Sequence, residues 1–299
     1  MLKLASKITL ITAVISISVN ASAIDEVIYG SDDRVELSEA HEVYQQFAAA
    51  TAAMVRNDRI KKVTWMPYYK IKGQSLEKKH RLCEGERFGE DLAVAACTGF
   101  LVGEDTLVTA GHCITVEEDC EGYSWVFDFK KKDSRIRKIM TNNSKDYVGE
   151  KNVYRCKKII KTVYDPMVTK MDFAVIKLDR PVKDREPLQI RREGSIEDDA
   201  ELFTIGHPMG VHTKVASNGT VRENDNDVYF VTNLDTFKGN SGGPVINAKT
   251  GLVEGIVVRG EADKEKLDKK SCFNIKRCEE DDCRGEDVTR ISQVDVLYE

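Results

Sequence analysis

The sequence predicts an all-β domain of antiparallel strands, packed as a sandwich or closed as a barrel. Its apolar residues come in short bursts rich in Val, Ile, Phe and Thr. Polar turns separate those bursts where long helical patterns would otherwise stand. The eight cysteines all follow an export-type leader, which favours a disulfide-stapled fold.

The elements follow in chain order. Lys3 and Lys7 give a positive start, Ile8 to Val19 is mostly apolar, and Ala21-Ser22-Ala23 fits the small-residue cleavage rule. Residues 1–23 therefore read as a secretory signal peptide, cleaved after Ala23. Its apolar stretch is too short for a membrane span, and no later run approaches that length. The mature chain is expected in the periplasm or outside the cell. Residues 24–80 read as an N-terminal segment, in part a pro-segment, and residues 81–299 as the main domain. Within the first of these, "SEAHEVYQQFAAATAAMV" (Ser38 to Val55) places Ala40, Val43, Tyr44, Phe47, Met54 and Val55 near helical spacing, with Ser38 as N-cap. A short N-terminal helix is predicted there.

Beyond about Cys83 the strand bursts begin: "ACTGFLV", "TLVTAG", "YSWVFDF", "DFAVIKL", "AELFTIG", "DVYFVTNL", "GPVIN" and "LVEGIVV". The basic run "KKKDSRIRK" (Lys130 to Lys138) reads as a solvated hairpin or loop. The formal net charge is −5, and it becomes more negative once Lys3 and Lys7 leave with the leader. That balance argues against nucleic-acid binding, which needs dense Lys and Arg. The charged stretch Glu261 to Asp287 reads as an extended loop stapled by cysteines. Its "CFNIKRCEEDDC" lacks paired CxxC spacing and a nearby histidine, so no metal site is expected.

The chemistry concentrates in "KGNSGGPV" (Lys238 to Val245), where a lone serine sits among three glycines. A tight hairpin would explain the spacing, and so would close approach of another molecule's backbone to Ser241. A serine hydroxyl attacks only when a base removes its proton. His41 lies in the helical segment, His80 in a charged stretch, and His207 and His212 in a turn, all ordinary positions. His112 closes "LVTAGHC", where an apolar strand runs into a small-residue turn that can hold an imidazole at a cleft wall. An imidazole base needs a carboxylate to fix its tautomer. Asp172 heads the strand "DFAVIKL" and is the first candidate. Asp165, before Pro166, is the second. Taken alone, Asp172 is more often a strand cap than a catalyst.

Together, "TAGHC", "DFAVIKL" and "GNSGGP" resemble, in that order, the signature blocks of the chymotrypsin-like (trypsin-fold) serine peptidases. "CTGFLV" is similar to that family's early strand and "GLVEGIVVRG" to its late one, so the likeness covers about Cys83 to Gly260. It implies two antiparallel six-stranded barrels with the cleft between them. It also implies a catalytic set of His112, Asp172 and Ser241, an oxyanion hole from the N–H groups of Gly239 and Ser241, and a Cys97–Cys113 disulfide. In that setting Gly239 leaves room for the donor, while Gly242 and Gly243 turn the chain beneath the nucleophile. No cofactor is implied, and the partners are protein or peptide substrates.

Departures bear on activation and specificity. Digestive members carry aspartate before the serine, paired with a newly cut amine. This chain has Asn240, which forms no such ion pair. That asparagine, with "VIYGSDDR" (Val27 to Arg34), is more similar to the bacterial branch that includes glutamyl endopeptidases. Asp235, six residues before Ser241 and beside Thr236, matches the base of the trypsin pocket and suggests cleavage after Arg or Lys. Val257 stands where acid-specific members carry histidine. Arg259 either neutralises Asp235 or meets an acidic side chain, and Gly260 leaves the pocket entrance open. Substrate backbone is expected to add as a strand along Val257 to Gly260. The competing readings are a hydrogen-bonded turn role for Asp235, acidic or other specificity, esterase or acyl-transfer activity, and a protease-fold binding protein that does not cleave.

Overall fold

The computed structural model describes residues 27–131, 144–266 and 271–298. The leader, and all of the basic run beyond Lys131, lie outside the described residues. Two closed antiparallel barrels of six strands each make up the body. The first runs Tyr123–Phe127, Val153–Tyr164, Asp172–Leu178, Thr106–Thr109, Ala95–Leu101 and Thr51–Arg56, and closes back onto Tyr123–Phe127. The second runs Glu201–Gly206, Pro244–Asn247, Val253–Arg259, Glu286–Arg290, Tyr229–Thr232 and Lys214–Glu223, and closes onto Glu201–Gly206. The short strand Val35–Glu36 adds to its outside.

Closure follows from the alternation of the strands. Trp125, Phe127, Phe100 and Phe173 fill the first barrel, and Leu202, Phe230, Val245, Val257 and Val288 the second, all buried. Full closure leaves neither barrel an open edge that would need covering. The apolar cluster of the first barrel continues through Ile205, Ile256 and Val258 of the second, so one packed interface carries both halves of the cleft.

The helix prediction needs correction. The helix spans Glu42–Ala49 with His41 as N-cap, not Ser38, and the chain switches at Thr51 into a barrel strand. The helical spacing of Met54 and Val55 comes from an alanine-rich run that suits either state. Pairing on both sides, with Ala95–Leu101 and Tyr123–Phe127, decides it for the strand. The helix itself lays Tyr44 and Phe47 edge-on against Phe203, with ring centroids 4.8 and 5.2 Å away. The first barrel thus begins upstream of residue 81, inside the segment expected to precede the main domain.

The eight cysteines pair as Cys83–Cys272, Cys97–Cys113, Cys120–Cys156 and Cys278–Cys283. The Cys97–Cys113 bridge implied by the family likeness is present. Two bridges staple the C-terminal loop, as its composition suggests.

Candidate active site

Strand Thr106–Thr109 ends in a single 3-10 turn, Gly111–Cys113, which carries His112 to the wall of the cleft. Asp172 opens its own strand of the same barrel and is buried. A buried carboxylate needs a donor for each oxygen, and one residue supplies both. The His112 backbone N–H donates to Asp172 Oδ1 at 3.0 Å, and the imidazole Nδ1 lies 2.8 Å from Oδ2. An ionised carboxylate only accepts, so Nδ1 carries the proton and Nε2 keeps its lone pair for an incoming hydrogen. The runner-up, Asp165, lies in the turn after strand Val153–Tyr164 and bonds within it. Its oxygens accept from the N–H groups of Met167, Val168 and Thr169, which hold its carboxyl down at about 2.

Ser241 lies in the second barrel, in the connection between Tyr229–Thr232 and Pro244–Asn247. Its carbonyl accepts from Thr98 N–H at 2.8 Å, and Cys113 Sγ is 3.8 Å from the same oxygen. The serine loop is thereby pressed against the turn that bears His112. The N–H groups of the loop divide into two sets. Those of Asn240, Gly242 and Gly243 donate to Phe237, Val257 and Asn240 carbonyls. Those of Gly239 and Ser241 have no acceptor among the described residues, leaving two donors beside one hydroxyl. Gly239 has φ +110°, and a Cβ there would run into the His207 carbonyl.

A support the sequence did not reveal stands behind this loop. Thr98 Oγ1 donates to the Gly239 carbonyl at 2.6 Å and lies 3.1 Å from His207 Nδ1. Burial pushes the His207 imidazole down to about 3, helped by the charge on Lys214, so it is neutral. His207 therefore steadies the loop from the core instead of sitting in an ordinary turn.

The pocket residues need more correction. Asp235 is buried, and its oxygens accept from Tyr29 N–H at 2.7 Å and Asp33 N–H at 3.1 Å. The N-terminal segment thus closes over it, anchored by parallel pairing of Ile28–Tyr29 with Arg277–Cys278 and by Arg34 over the Phe237 ring at 4.2 Å. Burial raises the Asp235 carboxyl to about 6. Burial and the neighbouring Asp235 charge raise Asp33 to about 8. Asp235 is the hydrogen-bonded turn residue, not an open floor. Arg259 does not neutralise it, because Nε pairs with Asp287 at 2.7 Å and Nη2 donates to the Lys170 carbonyl. Val257 spends its N–H on Gly243 and its carbonyl on Gly242, so it props the serine loop.

Thr236 and Gly260 point to another acid. Thr236 Oγ1 donates to Glu286 Oε2 at 2.8 Å, and a Cβ on Gly260 would collide with that same carboxyl. Tyr29 hydroxyl and Glu261 N–H complete its shell at 3.2 and 3.3 Å. Burial drives Glu286 up to about 8, against those hydrogen bonds.

A model of the trypsin-like peptidase domain matches residues 97–256, just over half of the chain and the whole span from Cys97 past Ser241. The chain belongs to the trypsin-like peptidase family. Among solved structures, a Glu endopeptidase in complex with MPD superposes with a TM-score of 0.51 at 16% identity, covering 91% of this peptidase and 98% of that chain. An inactive form of Rv3671c from M. tuberculosis H37Rv gives 0.46 at 14% identity, over 91% and 95%. The likeness to the Glu endopeptidase is one of fold. No curated protein matches the peptidase by sequence.

The remaining histidines of the peptidase have other work. His41 accepts from Val43 N–H as a helix cap. His80 lies 3.1 Å from the Met209 carbonyl and is pushed down to about 4, by burial and then by Lys79. His212 is buried between Asp146 and Asp91. Burial opposes its charge, but hydrogen bonds to the two carboxylates outweigh that and raise it. Cys97 and Cys113 stand beside His112, yet their sulfurs are bonded to each other and offer no thiolate to a metal.

Proposed function

We propose that this peptidase is an exported serine endopeptidase in which His112, Asp172 and Ser241 form the triad. The observation that carries the reading is the double hold of Asp172 on His112, which leaves Nε2 facing outward as a base. The unspent N–H groups of Gly239 and Ser241 support it. In the reaction, Ser241 Oγ attacks the scissile carbonyl carbon while its proton passes to His112 Nε2. The new oxyanion takes hydrogen bonds from the two free N–H groups, each such donor being worth about 2.7–4 kcal/mol. His112 then gives its proton to the departing amine nitrogen as the C–N bond breaks, leaving an ester on Ser241. Water, deprotonated by His112, attacks that ester, and the proton returns to Ser241.

Cleavage after Lys or Arg is proposed through Glu286, not Asp235. An entering cation past Gly260 would ionise the buried Glu286 carboxyl behind it and relieve its desolvation. The acyl side of the substrate would lie along Val258 to Gly260, since the backbone groups of Val257 are already used. Residues 1–23 are proposed as the leader. Any further removal from the N-terminus stops short of Thr51, whose strand closes the first barrel.

A fluorophosphonate probe tests the nucleophile. The mature protein should label covalently, and Ser241→Ala should abolish both labelling and peptide hydrolysis, the latter by about 10⁴-fold or more. Labelling that persists in Ser241→Ala, or a wild type that never labels, would sink the triad. A peptide-library digest then separates cleavage after Lys or Arg from acidic or other specificity, and peptidase from esterase.

A further inference from the structure

On the Lys238–Gly239 side of Ser241, away from the strand Val253–Arg259, lies a cavity of about 440 Å³. Lys79, His80, Lys238 and Lys264 stand around it, and Ala95 and Ala96 form its floor. A second cavity of about 370 Å³ shares Lys79, Ala95 and Ala96 and adds Arg56 and Arg59. The two make one groove along the start of the strand that leads to Cys97.

The described side chains around this groove are mostly cationic. Neither Lys79 nor Lys238 has a carboxylate partner among the described residues. Lys264 Nζ is 3.4 Å from the His80 carbonyl and 4.8 Å from the Phe273 ring centroid. Arg56 and Arg59 share the single carboxylate of Asp58. The one acid of the lining, Asp263, accepts from the Lys238 backbone N–H through Oδ1. Burial, then the charges of Lys238 and Arg59, push the Lys79 ammonium down to about 8. Like charges gathered along a concave surface focus a positive potential that an anionic ligand would meet.

We propose that this groove is the leaving-group half of the substrate cleft. It selects peptides with acidic side chains among the first three residues after the scissile bond. The inference rests on the peptidase reading of Ser241. If the acyl side runs along Val258 to Gly260, the chain leaving Ser241 the other way passes between Lys238 and Ala96 into the cations. A carboxylate there restores charge balance, and its N–O contacts replace the repulsion among ammonium groups.

The test is a set of internally quenched peptides with one acyl side, carrying Glu, Gln or Lys at each of the three positions after the bond. At the best position, kcat/KM for Glu should exceed that for Lys about tenfold, with Gln between. Lys79→Gln combined with Lys238→Gln should bring the ratio within about twofold, and Lys238→Glu should invert it. Fluorophosphonate labelling of each variant verifies an intact nucleophile. A wild-type ratio near one, or a Glu preference that survives the double substitution, would overturn the groove while leaving the peptidase standing. A protein that neither labels nor cleaves any peptide would overturn both.

Discussion

The two flanks of Ser241 gather ionisable groups of opposite kind, acids on one side and amines on the other. On the Gly260 side, Glu286 and Asp235 are buried and Asp33 is half-buried, and each carboxyl is held well above the ordinary carboxylate range. On the Lys238 side, the Lys79 ammonium lies at the surface of the groove and is held well below the ordinary ammonium range. In both places desolvation is the leading cause, with like-charged neighbours adding at Asp33 and Lys79. A folded domain gains nothing from such groups, since each costs stability. On the two proposals made above, one peptide would suit both flanks: basic before the cut, acidic after it.

The sharpest way to break this symmetry is Glu286→Gln. We expect kcat/KM on Lys and Arg substrates to fall about 50–100-fold relative to a Leu substrate, measured with matched peptides. In the wild type the same parameter should climb as pH rises through about 8, where Glu286 loses its proton, and the variant should lose that limb. Unchanged kinetics would remove Glu286 from the pocket. Next comes Thr98→Val, which strips the hydroxyl tying the Gly239 carbonyl to His207. With the oxyanion donors loosened, kcat should drop about tenfold at nearly constant KM for substrates of either charge. A selective effect on one flank would show that the loop belongs to that flank.

A smaller effect concerns stability. Asp33 has a folded-state value near 8 against an ordinary 3.8. Its contribution is therefore complete below about pH 4 and lost progressively as pH rises toward 8. Asp33→Asn should flatten that loss and gain about 1 kcal/mol at pH 8, a few degrees of Tm by calorimetry. A wild type equally stable at pH 5 and 8 would contradict it. Least of all, raising salt from about 0.05 to 0.5 M should shrink the acidic leaving-group preference about threefold, because the cations lie in an open groove. The preference for Lys or Arg, seated on a buried acid, should hardly move.

What the sequence revealed depended on distance along the chain. Strand bursts are local patterns and were readable directly, whereas the two barrels and the pairing of His112 with Asp172 came from the family resemblance of "TAGHC", "DFAVIKL" and "GNSGGP". Ala50 to Val55 misled because alanine serves helix and strand alike, and its barrel partners lie about forty and seventy residues away. Asp235 misled for a related reason. Nothing around it announces that Tyr29 and Asp33, some two hundred positions earlier, satisfy its oxygens. Glu286 and the cluster of Lys79, Lys238 and Lys264 carry no motif at all, since only folding brings them to the cleft.

The bridge between Cys83 and Cys272 joins positions 189 residues apart. It fastens the segment after Lys79 and His80 to the segment after Lys264, alongside hydrogen bonds between Cys83 and Phe273 and between Phe273 and Arg81. Opposite walls of the positive groove are thus covalently tied, and their mutual electrostatic pressure is borne by a sulfur link. Both barrels close through backbone pairing elsewhere and do not depend on it. Removing this one bridge while keeping the other three would leave the barrels closed and free the two walls of the groove to part.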